Sequence, residues 1–171
     1  MVKPSEVGAR AQKLEEQNYR FRTFLKNRAN PDELDAKFME LHRGLFADYD
    51  CCKCANCCKS YSIMLDTDEV MRIAAFLGLS QNDFASEYLM DSGESDEKPY
   101  ELKEKPCRFL CEDGRCLIQD CKPDDCMAYP FTDQPDRLAS MFSIIEHAEA
   151  CPIVFEILER LKDMYRFRNR V

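Results

Sequence analysis

The chain has 171 residues and a formal charge of −8, from 32 Asp and Glu against 24 Lys and Arg. That length suits one domain with at most an appendage, and the acidic balance argues against nucleic acid as a partner for the surface as a whole. No apolar run approaches the ~20 residues of a membrane span. Met1-Val2-Lys3-Pro4-Ser5-Glu6 has no apolar signal core, so the reading is cytoplasmic, with no membrane partner.

Two helices open the chain. From Ser5 to Arg28, Val7, Ala11, Leu14, Phe21 and Leu25 recur at helical spacing, with Asn18 as the polar position in the seam. Asn30 suits an N-cap, Pro31 the first helical position, and Asp32 and Glu33 the positive end of the helix dipole. Leu34, Phe38, Leu41 and Leu45 mark the second stripe. Together these helices are expected to form an antiparallel hairpin over residues 1–48 that covers a metal core or meets a protein partner or second copy. Lys3, Arg10, Lys13, Arg20, Arg22, Lys26 and Arg28, with Arg160, Lys162, Arg166, Arg168 and Arg170 at the other end, read as solvated basic faces.

Cys51-Cys52-Lys53-Cys54-Ala55-Asn56-Cys57-Cys58 is the densest chemistry in the chain. It has no strand alternation and no helical stripe, but Cys51, Cys54 and Cys57 fall on a C-x-x-C-x-x-C frame. With a remote cysteine, that frame can hold an iron–sulfur cube, and zinc accepts the same knuckles. The total of eleven cysteines is odd. In a reducing compartment, clustered thiols are ligands or catalysts more often than disulfides.

Tyr61–Leu65 then reads as a short strand. Asp66 or Thr67 caps a helix with Val70, Ile73, Ala74 and Leu77 inward, closed by Gly78. Another helix is expected from Gln81 to Met90, followed by an exposed polar loop from Asp91 to Pro99. In the second cysteine block, Cys107, Cys116 and Cys126 lie about ten residues apart. Asp113-Gly114 and Lys122-Pro123-Asp124-Asp125 make turns between them, so the segment can return three sulfurs to one place. Too few large apolar residues accompany them to hold such loops, whereas a structural zinc site supplies on the order of 10–16 kcal/mol. Cys151-Pro152 opens a last helix with Val154, Ile157, Leu158 and Leu161 inward, and the helix dipole there favours a thiolate.

The chain resembles the cysteine-cluster proteins of the YkgJ type, a zinc- or iron-chelating family. The matching residues are Cys51-x-x-Cys54-x-x-Cys57-Cys58, Asp66-x-Asp68-x-x-x-Arg72-Ile73-Ala74 and Leu77-Gly78-Leu79-Ser80. They continue with Pro106-Cys107-Arg108-Phe109-Leu110, Gly114-Arg115-Cys116-Leu117-Ile118, Pro123-x-x-Cys126-x-x-Tyr129-Pro130-Phe131 and Cys151-Pro152. Position by position, the resemblance implies eight metal ligands: Cys51, Cys54, Cys57, Cys58, Cys107, Cys116, Cys126 and Cys151. Cys52, Cys111 and Cys121 are additions. The chain departs from the family where Gln119 replaces an aromatic and where Lys122 and Met127 replace arginines. Relatives of this domain occur within flagellin lysine methylases, which makes methyl transfer conceivable by resemblance.

These readings converge on an α+β, mostly helical fold. A cysteine-rich, metal-bound core with short strands, residues 49–171, is flanked by the N-terminal hairpin and a C-terminal helix. Eight thiolates divide most simply into two four-ligand sites, and Cys57 and Cys58, as sequence neighbours, are expected to serve different metal atoms, in two adjacent centres or one polynuclear centre. The cofactor is an iron–sulfur cluster (4Fe–4S) or zinc, since soft thiolates suit both, and the three-ligand frame leans toward iron–sulfur. The function is metal binding with a redox or methyl-transfer-type role, or else a zinc-stabilised interaction module or chelator. No independent catalytic motif is present, so an enzyme here would depend on iron–sulfur chemistry. His42 and His147 read as packed or surface side chains more readily than as ligands. Tyr61 and Tyr129 shield the metal site or fill the core, Asp66 and Asp68 start a helix, and Cys111 could be a reactive thiol.

Overall fold

A computed structural model describes residues 1–93 and 96–168. Glu94 and Ser95 of the polar loop, and Arg170 of the terminal basic run, lie outside the described residues. In chain order the elements are α1 (Val7–Arg28), α2 (Pro31–Phe46), α3 (Cys51–Cys54), α4 (Asn56–Ser60), β1 (Met64–Leu65), α5 (Thr67–Leu77) and α6 (Gln81–Tyr88). They continue with β2 (Leu89–Asp91), β3 (Tyr100–Leu102), a 3-10 turn (Gln119–Cys121), α7 (Asp124–Ala128), α8 (Met141–Ala150) and α9 (Pro152–Met164). The fold is therefore α+β and mostly helical, with one small sheet. No helix among the described residues is long and apolar enough to cross a membrane.

Contacts group the chain into two units, Met1–Asp50 with Pro130–Val171, and Cys51–Tyr129. The sequence reading instead places residues 130–171 with the cysteines. In the first unit α9 is the central helix: Ile153, Val154, Ile157, Leu158 and Leu161 are all buried. Each such side chain contributes roughly 1.5–3 kcal/mol on leaving water. α1 packs chiefly on α8 and α2 on α9, so the two N-terminal helices join through the C-terminal pair more than through each other. The α1 stripe of Val7, Ala11, Asn18, Phe21 and Leu25 is buried in this way, as are Leu34 and Phe38 of α2. The stripe residues that a dimer surface would need are thus largely used within the unit. A loop after Pro130 is fixed to α2, because the Asp35 carboxylate accepts the N–H groups of Asp136 and Arg137 at 2.8 and 2.9 Å.

In the second unit an antiparallel sheet has the order β1-β3-β2, with Leu65 opposite Tyr100 and Leu89 opposite Leu102. Strand β2 takes Leu89 and Met90, which the sequence reading assigns to the end of a helix; Tyr88 is the last residue of α6. The Asp91–Pro99 segment connects β2 to β3. One face of the sheet and the inner side of α5 and α6 enclose Leu65, Val70, Ile73, Phe84, Leu89, Leu102, Phe109 and Ile118. α5 begins with a full capping box: Asp66 accepts from the Glu69 N–H at 2.7 Å, and Glu69 accepts from the Asp66 N–H at 2.9 Å. It ends at Gly78, whose φ of +71° suits a residue without Cβ.

Candidate metal centre

The first cysteine block is helical, unlike the irregular run expected. α3 and α4 are single turns separated by Ala55, which takes a left-handed conformation (φ 50°) and redirects the chain between Cys54 and Cys57. The second block folds back through Asp113-Gly114, as its turn residues imply. Gly114 N–H donates to the Cys111 carbonyl at 2.9 Å and Cys111 N–H to the Arg115 carbonyl at 2.8 Å, while Leu110 bridges to Cys116. Gly114 is also where the two blocks meet: a Cβ on it would stand 1.9 Å from the Cys52 carbonyl oxygen. A second tie runs from the Cys107 N–H to the Cys58 carbonyl, at 2.7 Å.

These ties assemble a pocket of about 40 Å³, lined by Cys57, Cys58, Cys107, Cys116 and Cys126. Its apolar wall is Ile63, Leu102, Phe109 and Ile118, the same residues that close the core of this unit. The rings of Tyr61 and Tyr129 line it as well, with centroids 4.8 Å apart. One charged side chain, Lys122, completes the described lining. The volume has room for about three water molecules, and among the described residues no three Cys, His, Asp or Glu side chains already stand at chelating positions. The donor set nonetheless suits a soft, thiophilic metal: five thiols on an apolar wall, with no carboxylate among them.

The thiols differ in their hold on protons. Cys58 is pulled down to about 6, first by a hydrogen bond from the Cys57 thiol and then, against the cost of burial, by the nearby charges of Lys122 and Lys59. Burial pushes Cys126 up to about 12 and raises Cys107 and Cys116 as well. Cys58 therefore gives up its proton most readily, and a metal bound by Cys107, Cys116 or Cys126 must displace a proton that burial holds. Cys57 and Cys58 both line this pocket.

The helix carrying Cys126 is fixed from α5. Glu69, 1% exposed, accepts from the Asp124 N–H at the start of α7 (2.8 Å) while its other oxygen serves the capping box. Lys98 lies 3.7 Å from Glu69 and 2.7 Å from Asp125, and Arg72 pairs with Asp124 at 3.0 Å. The sequence reading saw Asp66 and Asp68 as helix-start residues; Asp66 is the cap and Asp68 is in the first turn. Glu69 and Lys98 went unrecognised. The Glu three residues after Asp66 was a usable signal for the capping box, but its bond to Asp124 spans 55 residues.

The remaining candidates lie elsewhere. Cys51 and Cys54 are on α3 and do not line the pocket; Cys51 is exposed and Cys54 buried. Cys151 is buried in the first unit, at the N-cap position of α9. Of the three additional cysteines, Cys121 is a core residue, and burial raises its pKa. Cys52 is exposed and Cys111 half-buried. Cys54, Cys58, Cys107, Cys111, Cys116, Cys121 and Cys126 carry free thiols. His42 has structural contacts in the first unit, with Nδ1 2.8 Å from Thr132 Oγ1 and its ring against Phe46. His147 sits on α8 beside Phe131.

A thiol-lined pocket set against the core of a small α+β unit defines a class: cysteine-cluster metal-binding proteins. Residues 50–152, more than half of the chain, match the CxxCxxCC family, described as "Putative zinc- or iron-chelating domain", and the chain belongs to that family. Neither the curated proteins nor the solved structures yield a match.

Proposed function

We propose that this protein holds a thiolate-ligated iron–sulfur centre of the [4Fe–4S] type, with ligands drawn from Cys57, Cys58, Cys107, Cys116 and Cys126. The observation that carries this reading is the convergence of five cysteine side chains, from separate segments, on one pocket with an apolar wall. Four thiolates suffice for a cube or for a tetrahedral zinc ion, so the five thiols of the pocket meet the ligand count of either. A bound cluster would supply one-electron redox chemistry, its potential set by burial and by hydrogen bonds to sulfur. The chain's own part is to exclude water with Ile63, Leu102, Phe109 and Ile118, to cover the site with Tyr61 and Tyr129, and to hold the blocks together at Gly114 and Cys107. A redox or methyl-transfer-type role in a reducing, cytoplasmic setting accords with this centre.

The small cavity favours a second reading, a single structural zinc ion in a non-catalytic module. Anaerobic purification followed by iron, zinc and acid-labile sulfide analysis separates the two. Brown protein with iron and sulfide in matching amounts is expected; colourless protein with stoichiometric zinc overturns the iron–sulfur reading in favour of the structural one.

A further inference from the structure

Lys122 is the one charged side chain in the described lining of the thiol pocket. It follows the 3-10 turn that ends at Cys121 and precedes α7, and its backbone is held where its carbonyl meets the Arg72 guanidinium at 3.3 Å. The side chain is half-buried. Among the described residues it has no carboxylate partner: Asp124 is occupied by Arg72 and Asp125 by Lys98. A lysine partly out of water with no carboxylate beside it is costly unless another anion shares its site. The groups sharing this site are thiols, which become anions when they bind a metal. Four thiolates around a divalent ion carry a net charge of about −2.

We propose that Lys122 is the counter-charge of the metal centre, a positioning residue whose ammonium offsets the excess negative charge of the bound thiolates and thereby sets how tightly the pocket holds metal. This rests on the metal-binding reading above, but on neither the choice of iron or zinc nor any catalytic role. The electrostatic influence of Lys122 on three of the pocket thiols, those of Cys58, Cys116 and Cys126, supports it. Lys59, the other cation near Cys58, does not line the pocket and reaches the Cys54 carbonyl at 3.4 Å.

The test uses the full chain, freed of metal under reducing conditions, with Zn²⁺ as the probe in competition with a chromophoric chelator and Co²⁺ as the spectroscopic reporter. Lys122→Met keeps the stem and removes the charge. It is expected to weaken Zn²⁺ binding about 10- to 100-fold, the range for residues supporting a metal's ligands, and to lower the thiolate-to-cobalt charge-transfer absorption per cobalt. Lys122→Arg keeps the charge and is expected to stay within about threefold of the parent, as is Lys59→Met, by that same measure of a supporting residue. Lys122→Gln serves in place of the methionine variant should circular dichroism show the latter unfolded. Unchanged affinity in the neutral variants, or an equal loss in Lys122→Arg, would overturn the proposal. A parent protein without a cobalt–thiolate band would instead overturn the metal-binding reading beneath it.

Discussion

Gly114→Ala tests the junction between the two cysteine blocks. The glycine has a φ of +82°, and a Cβ there would lie 1.9 Å from the Cys52 carbonyl oxygen and 2.9 Å from its carbon. Both are backbone atoms, so no flexible side chain can swing away, and the blocks must separate by about an ångström to regain ordinary contact. Left-handed backbone alone costs an alanine about 1–2 kcal/mol. Forcing an extra methyl into packed surroundings adds roughly 1–3 kcal/mol. Gly78 provides the internal control: its φ is +71°, but nothing stands within 4 Å of a built Cβ. Gly78→Ala is therefore expected to lose only the conformational part, and Gly114→Ala about 2–5 kcal/mol in total. Urea unfolding of the metal-free protein measures both, with unchanged m values as the check on two-state behaviour. If the two variants agree within about 0.5 kcal/mol, the size of an ordinary surface substitution, the contact does not join the blocks.

Glu69→Ala should cost about 2–4 kcal/mol, because it leaves the Asp66 and Asp124 N–H groups without their charged acceptor. It should also weaken metal binding through Cys126, and unaltered metal affinity would count against Glu69 as the brace of α7. In metal-free protein at neutral pH, iodoacetamide should modify Cys58 well before Cys126, since their pKa values are about 6 and about 12; mass spectrometry showing equal rates contradicts that order. Burial, the main influence, lowers the His42 pKa below its ordinary value, so near pH 6.5 the unfolded chain binds more protons than the folded one. The contribution of a neutral His42 is complete above the unfolded pKa of about 6.5 and is lost as pH falls through the lower folded value. His42→Gln should flatten this acid-side loss in denaturation curves, and an unaltered profile would assign the pH dependence to other groups.

What the sequence made legible was local. Asn30-Pro31, Asp66 with Gly78, and Cys151-Pro152 each mark a helix end that the structure contains, because capping depends on residues a few positions apart. α8 went unseen, for its N-cap Ser140 makes no side-chain cap and it presents Met141, Ile144, Ile145 and Ala148 to the interior just after a turn-rich stretch. β3 is the central strand but only three residues long, too short to show alternation. The cysteine spacings announced a metal pocket, yet not its membership. Cys121 has the same chemistry as Cys116 or Cys126 and is a core residue through tertiary packing alone. Lys122 stood out in the sequence as a departure from the family pattern, and only the fold puts it among the thiols.

X-ray absorption at the metal edge of the anaerobically prepared, metal-loaded protein gives the most direct test of the whole account. It should find a first shell of sulfur alone, at about 2.3 Å if the metal is zinc, and Cys107→Ser with Cys126→Ser should thin that shell. A shell built of nitrogen and oxygen, or one untouched by those substitutions, would contradict a centre held in this pocket.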